Sequence, residues 1–343
     1  MNRAARRRAA REAATTAPAQ PPAGALPVPG EIRLANPMSE NYAAFIVGNA
    51  QHCDRVVAEG TAAGQHLVLC GAGPSLAEHA AEWCGQGDQV WGCNSAAMWL
   101  HRQGHKVTHA FSVDQTPHMV VEWLDAPPLE YLVASSCHPH LIEHLLQHQR
   151  LVTFFHNFVG IPRPPVSWPD ENGIERTEAY EYWLYQLLYP GTVVAGAGLN
   201  AVTRAIDVAL TMGFERITVL GADCALRARR PCPPNVLLGT PEFTRWLTED
   251  VIMHADGGNA LASGATPITL SAPIDGRMWY TKPDMAMTAL TLVEMVRVHG
   301  ERIRLVGDTL PNALKDKPEE FLQRLPRLTD STGKPIPAYT FAG

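Results

Sequence analysis

The sequence has no apolar run approaching the ~20 residues that a membrane helix requires, so no membrane span is expected. Its N-terminus carries arginines with no apolar stretch behind them, and no secretory signal is read there. Cysteine occurs seven times, an odd count with no repeated CxxC, and several of these residues lie in apolar, strand-like stretches. That usage fits reduced thiols in a cytoplasmic protein, where a free cysteine packs as a small hydrophobe. Positive charge is concentrated at one end. The first twelve residues hold five Arg and one Glu, so this +4 arm leaves the rest of the chain near −10 against −6 for the whole. An acidic body argues against broad nucleic-acid binding. HExxH is absent, as are a GKS or GKT phosphate loop and any internal repeat.

What is present is a 343-residue chain, 46% hydrophobic, long enough for one large domain or a domain with a subdomain. Residues 1–30 are rich in Arg, Ala and Pro and lack the apolar faces that offset ordering entropy, so a disordered arm is expected. An Arg- and Ala-rich start with few acids also resembles an organelle transit peptide. Residues 31–60 are expected to form a helical lead-in, 61–315 a Rossmann-like domain, and 316–343 a polar, Pro-containing tail.

From residue 66, short apolar runs alternate with helical segments. Strands are expected at 66–70, 89–92, 108–113, 131–134 and 151–155, with helices at 74–83 and 95–102. A Pro-rich break at 161–175 interrupts the alternation, and 177–189 reads as an aromatic-rich helix. Leu199, Val202, Ile206, Ala209 and Leu210 then share one face of a helix that Gly213 would stop. A strand at 216–220 follows, then a long irregular stretch at 225–282 of the kind that covers active sites. Pro283 opens a helix running to Gly300, and 303–306 is a last strand. Short buried strands separated by helices indicate an α/β fold with a mostly parallel, Rossmann-like sheet.

The motif with most chemical content is the turn Gly71, Ala72, Gly73, Pro74, Ser75 between the first strand and its helix. Gly71 and Gly73 permit positive φ and close backbone approach, and Pro74 suits the first helical position. Free amides and the Ser75 hydroxyl at a helix N-terminus can hold a phosphate; a plain tight turn is the alternative. The third glycine of a dinucleotide fingerprint is missing, because Leu76 stands there. The second strand ends in Asn94 where an NAD enzyme has an acid for the ribose. NAD is therefore disfavoured, and Asn94 becomes a candidate contact to ribose or base, with turn capping as the alternative. Asp114 and Asp223 follow strand ends and can together hold Mg²⁺, or one can act as acid or base; Asp114 can equally cap the next helix. The turn Gly196, Ala197, Gly198 repeats the logic of the first, for a second phosphate or for close packing. His254, in the long stretch behind Asp223, is a candidate general base or a loop hydrogen-bonder. His138, His140, His144 and His148 read as a surface rather than a metal site, and Cys224 and Cys232 lack partners at zinc spacing.

Together, GAGPSL, the strand ending in CNS, SVDQTP and the segment VVAGAGLNAVTRAIDVALTMGFERITVLGADCAL resemble the DUF115 family. That family includes the MptE-like proteins and the motor accessory factors. The later IDGRMWYTKPDM and IRLVGDTLP segments look like the ends of its phage and bacterial members, so the resemblance spans roughly 60–315. GPSL with the strand-end Asn is also similar to bacterial sialyltransferases that use CMP-sialic acid. The resemblance implies that Gly71, Gly73, Pro74, Ser75 and Asn94 bind a nucleotide, with Asp114 and Asp223 beside it. Gln115, Gly196 and Gly198 are grouped with these binding residues.

Three functions follow as expectations. The first is a cytoplasmic glycosyltransferase using a nucleotide-activated sugar, such as a CMP-linked nonulosonic acid, with His254 or Asp114 deprotonating the acceptor. The second is pyrophosphoryl transfer from ATP to a pterin-like alcohol, with Mg²⁺ on Asp114 and Asp223. The third is a non-catalytic nucleotide-binding or phage assembly protein.

Overall fold

The computed structural model describes residues 31–34, 41–159, 161, 163–170, 172–196, 198–230, 240–257, 270–274, 277–316 and 327–330. The chain divides into two compact units. In the unit formed by Met1–Ala35 and Pro326–Pro337, the strands Glu31–Leu34 and Arg327–Asp330 pair in parallel. The lead-in expected to be helical thus begins with a strand, and the expected tail contains its partner. The arm at 1–30 lies outside the described residues.

The second unit is built on seven parallel strands: β1 (His66–Cys70), β2 (Gln89–Cys93), β3 (His109–Ser112), β4 (Glu130–Ala134), β5 (Leu151–Phe155), β6 (Arg216–Leu220) and β7 (Ile303–Leu305). The order across the sheet is β7-β6-β1-β2-β3-β4-β5. The helices are α1 (Tyr42–Asn49), α2 (Leu76–Trp83), α3 (Ser95–Arg102), α4 (His118–Glu122), α5 (Pro139–Gln147), α6 (Tyr180–Leu188), α7 (Ala201–Met212), α8 (Pro241–Asp250), α9 (Pro283–His299) and α10 (Leu310–Leu314).

The strands are mostly apolar past their first residues because both faces of the sheet are covered. Val68 and Cys70 of β1 and Val90 of β2 pack with Leu76, Ala80 and Leu100 of α2 and α3. Leu67, Leu69 and Trp91 point the other way, into a larger core with Val202, Ala205, Ile206 and Ala209 of α7. That helix has matched ends. Asn200 and Thr203 form a reciprocal capping box at its start, and Gly213 stops it in the left-handed region at φ 89°.

The topology selects one crevice. From β1, strands are added in one direction as far as β5. The chain then returns across the sheet and lays β6 on the other side of β1. The order reverses between β1 and β6, and ligands of open α/β sheets bind outside the carboxyl ends of the strands at such a point.

Two expectations are corrected. Glu175–Glu178 is a strand paired antiparallel with Val166–Pro169, so the helix expected over 177–189 is confined to α6. The stretch at 225–282 is not irregular throughout. It contains α8, a pairing of Arg227–Ala228 with Val251–Ile252, and a hairpin of Leu270–Ile274 with Arg277–Thr281. Phe243 and Trp246 of α8 form a separate apolar cluster with Leu226, Leu247 and Met253. Among the described residues, no helix is long and apolar enough to cross a membrane.

Candidate functional site

Two strand-end loops meet at the switch point. The Gly71 amide donates to the Leu220 carbonyl at 2.8 Å, and the Gly73 amide to the Gly221 carbonyl at 2.9 Å. Neither Gly71 nor Gly73 takes a positive φ. They are glycines because the loops touch: a Cβ on Gly71 would lie 2.6 Å from the Gly221 carbonyl oxygen. One on Gly73 would lie equally close to that oxygen and clash with the Asp223 carboxylate.

Asp223 itself occupies the start of α2. Its carboxylate accepts the Ser75 amide at 3.1 and 3.2 Å and the Ser75 hydroxyl at 2.8 Å, and both residues are buried. A carboxylate at a helix N-terminus satisfies orphan amides and the helix dipole as a phosphate would. Burial raises the Asp223 pKa, and the Ser75 bonds and the Arg227 charge oppose that rise. The Leu76 and Ala77 amides donate to the Gly73 and Pro74 carbonyls at 3.1 and 3.3 Å. The tight-turn reading therefore accounts for Gly71, Gly73, Pro74 and Ser75. Among the described residues, the Ala72 amide is the one N–H of this turn left without an acceptor.

Asn94 is different. It joins β2 to α3 at φ 48°, ψ −120°, a sparsely populated conformation for a residue with a side chain. Three bonds hold it there. Its amide donates to the Phe111 carbonyl at 2.9 Å, and its carbonyl accepts the Ala97 amide at 3.3 Å and the Trp123 indole at 3.0 Å. Its side-chain Oδ1 is buried with no partner. A strained elbow holding an unpaired buried acceptor is the kind of arrangement that marks ligand sites.

Further polar groups continue along the same edge. Asp114, beyond β3, accepts the Thr116 amide at 2.8 Å in a local turn, and its own amide donates to Ser112 Oγ at 3.1 Å; the helix α4 that follows has no side-chain cap. Gln115 Nε2 donates to Ser136 Oγ at 3.4 Å, and Ser136 Oγ donates to Asn157 Oδ1 at 3.1 Å. Asn157 is fully buried and its Nδ2 is unpaired. Sequence reading missed Ser136 and Asn157, although each follows an apolar strand as Asn94 does.

The structure does not unite Asp114 with Asp223. They follow β3 and β6, which β1 and β2 separate, so the strand tips stand three spacings apart, roughly 14 Å. Both carboxylates also have local partners, and a shared Mg²⁺ does not fit this donor set. Among the described residues, no cluster of three or more His, Cys, Asp or Glu is arranged for a metal. His144 instead contacts the Trp123 carbonyl, and Cys232 lies outside the described residues.

The segment that carries His254 lies against the glycine turn. The next residue, Ala255, donates its amide to the Ala72 carbonyl at 2.9 Å, which lays this segment over the glycine turn. On α4, Glu122 is held below the usual carboxylate range, chiefly by its hydrogen bond to His118 and further by the charges of His254 and Arg102. Gly196 and Gly198 have structural explanations. The Gly196 amide donates to Asp207 at 2.6 Å, and both take positive φ in the tight approach to α7, where a Cβ on Gly198 would meet Thr203 Oγ1 at 2.5 Å.

No family model matches the sequence, and no curated protein matches it. The fold is similar to the structure of a MAf glycosyltransferase from Magnetospirillum magneticum AMB-1, with a TM-score of 0.50 and 12% identity. The match covers 84% of this chain and 41% of that one, so the chain spans about two fifths of that protein's length. This likeness shows the α/β, Rossmann-like fold.

Proposed function

We propose that the chain is a glycosyltransferase-like protein that binds a nucleotide-activated sugar along the carboxyl edge of β1 to β3. The observation carrying this reading is Asn94, whose strained backbone presents a buried, unpaired acceptor beside the switch point. A carboxamide oxygen there suits a ribose hydroxyl or the amino group of a base. The fold shared with a MAf glycosyltransferase supports the reaction class, and a CMP-linked nonulosonic acid is the proposed donor.

In this reading the acceptor hydroxyl oxygen attacks the anomeric carbon as the bond from that carbon to the phosphate oxygen breaks. The nucleotide leaves with the bonding electron pair, and the acceptor proton passes to the His254 imidazole. The Ala72 amide is the donor at the glycine turn available to the departing phosphate. Pyrophosphoryl transfer is disfavoured because Asp114 and Asp223 are not placed to share a metal.

The test is a calorimetric and thermal-shift panel of CMP, CDP, UDP, GDP, ATP and NAD, with and without Mg²⁺. A cytidine nucleotide should stabilise the protein without metal, and Asn94→Ala should weaken that binding at least tenfold. Stabilisation by no nucleotide, or an unchanged response in Asn94→Ala, overturns the proposal. Strictly Mg²⁺-dependent AMP release would favour diphosphokinase chemistry instead.

A further inference from the structure

The opposite edge of the sheet carries a second concavity, remote from the strand-end crevice. The parallel register sets His66 of β1 beside Arg216 of β6, and Arg304 of β7 beside Thr218 of β6. These residues line a pocket of about 490 Å³, together with Trp83 at the end of α2 and Arg302. That volume falls within the range of small-molecule sites.

The charge in this pocket is one-sided. Three guanidiniums line it, against the single carboxylate of Glu301. Arg302 is anchored, donating to the Phe214 carbonyl at 2.7 Å and the Leu210 carbonyl at 3.4 Å. Arg304 lies over the Trp83 ring at 4.6 Å, which orients its planar fork without using its N–H donors. The Arg216 side chain has no hydrogen bond or ion pair among the described residues. Within the lining, His66 Nε2 is bonded to the buried Thr218 hydroxyl at 2.9 Å, and burial together with the Arg216 charge lowers its pKa. Like charges in a concave wall focus a positive potential, and guanidinium forks match tetrahedral oxyanions by paired N–H···O bonds.

We propose that this pocket is a second binding site, for a small phosphate-bearing molecule, held by Arg216 and Arg304 with Arg302 adding charge. It is independent of the nucleotide-sugar reading, since it shares no residue with the crevice around Asn94.

Inorganic pyrophosphate is the probe, titrated calorimetrically into the full chain at low and high salt. Binding is expected to weaken with salt. It should weaken at least tenfold in the Arg216→Gln, Arg304→Gln double variant, and tighten several-fold in Glu301→Gln. Asn94→Ala should leave it unchanged, while the double variant should leave nucleotide binding at the crevice unchanged. Arg216 and Arg304 are exposed, and circular dichroism checks that the double variant is folded. The opposite response of Glu301→Gln also keeps the test decisive. No pyrophosphate binding, equal binding in parent and double variant, or loss of binding in Asn94→Ala would each overturn the site.

Discussion

The Asp223 carboxylate accepts both the amide and the hydroxyl of Ser75, the latter at 2.8 Å, so the end of β6 closes the first turn of α2. Two residues 148 positions apart thereby satisfy one another at the point where the strand order reverses. In the proposed reading, the ligand therefore binds further along the edge, toward Asn94.

Removing the Asp223 carboxylate leaves the buried Ser75 amide and hydroxyl unpaired. Asp223→Ala should lose about 1–3 kcal/mol in denaturant unfolding, whereas Asp223→Asn keeps an acceptor and should lose less. Because burial raises the Asp223 pKa above 3.8, its contribution is full below that pH and declines as pH rises through the folded value. Asp223→Asn should remove that slope. Equal stability of the Ala variant and the parent would show that the pairing carries no weight.

Gly73 has no room for a methyl group between the Gly221 carbonyl and Asp223. Gly73→Ala should lower stability by roughly 2–3 kcal/mol or prevent folding, from steric overlap alone. A midpoint within error of the parent would mean that the two loops separate easily.

Asn94 combines strain with an unpaired buried oxygen, and glycine relieves both. Asn94→Gly should be more stable than the parent by about 1–2 kcal/mol while losing nucleotide-induced stabilisation. Destabilisation together with retained nucleotide binding would assign Asn94 a purely structural role.

His156 is fully buried between β5 and α6, with Nδ1 on Ser135 Oγ at 3.1 Å, its ring stacked on Tyr189 and Nε2 unpaired. Burial lowers its pKa from 6.5 to about 4. Between those values the unfolded chain binds the extra proton, so stability is full above pH 6.5 and falls as pH drops to 4, by ~3 kcal/mol from this residue. His156→Phe should flatten that part of the profile. An unchanged slope would place the pH dependence elsewhere.

Much of the fold was readable because its causes are local. Runs such as 66–70, 151–155 and 216–220 match β1, β5 and β6 residue for residue, since the buried interior of a strand covered on both faces is mostly apolar even where its first residue is not. Gly213 and Pro283 marked helix ends through their own backbone chemistry. Reading failed where a partner was distant. The Glu175–Glu178 strand is polar and mostly exposed, and only its pairing with Val166–Pro169 makes it a strand. Helix α8 was hidden because its apolar face meets Leu226 and Met253 rather than the main core.

The candidate site divides in the same way. Composition, periodicity and turn residues determined an α/β chain with glycine turns and polar residues at its strand ends, because each depends on a few neighbouring residues. Only the tertiary structure decided what those residues do. The order β7-β6-β1-β2-β3-β4-β5 brings Asp223 onto Ser75, keeps Asp114 apart from it, and lays the His254 segment over Ala72. Those outcomes follow from which strands become neighbours, a choice set by packing across the whole sheet.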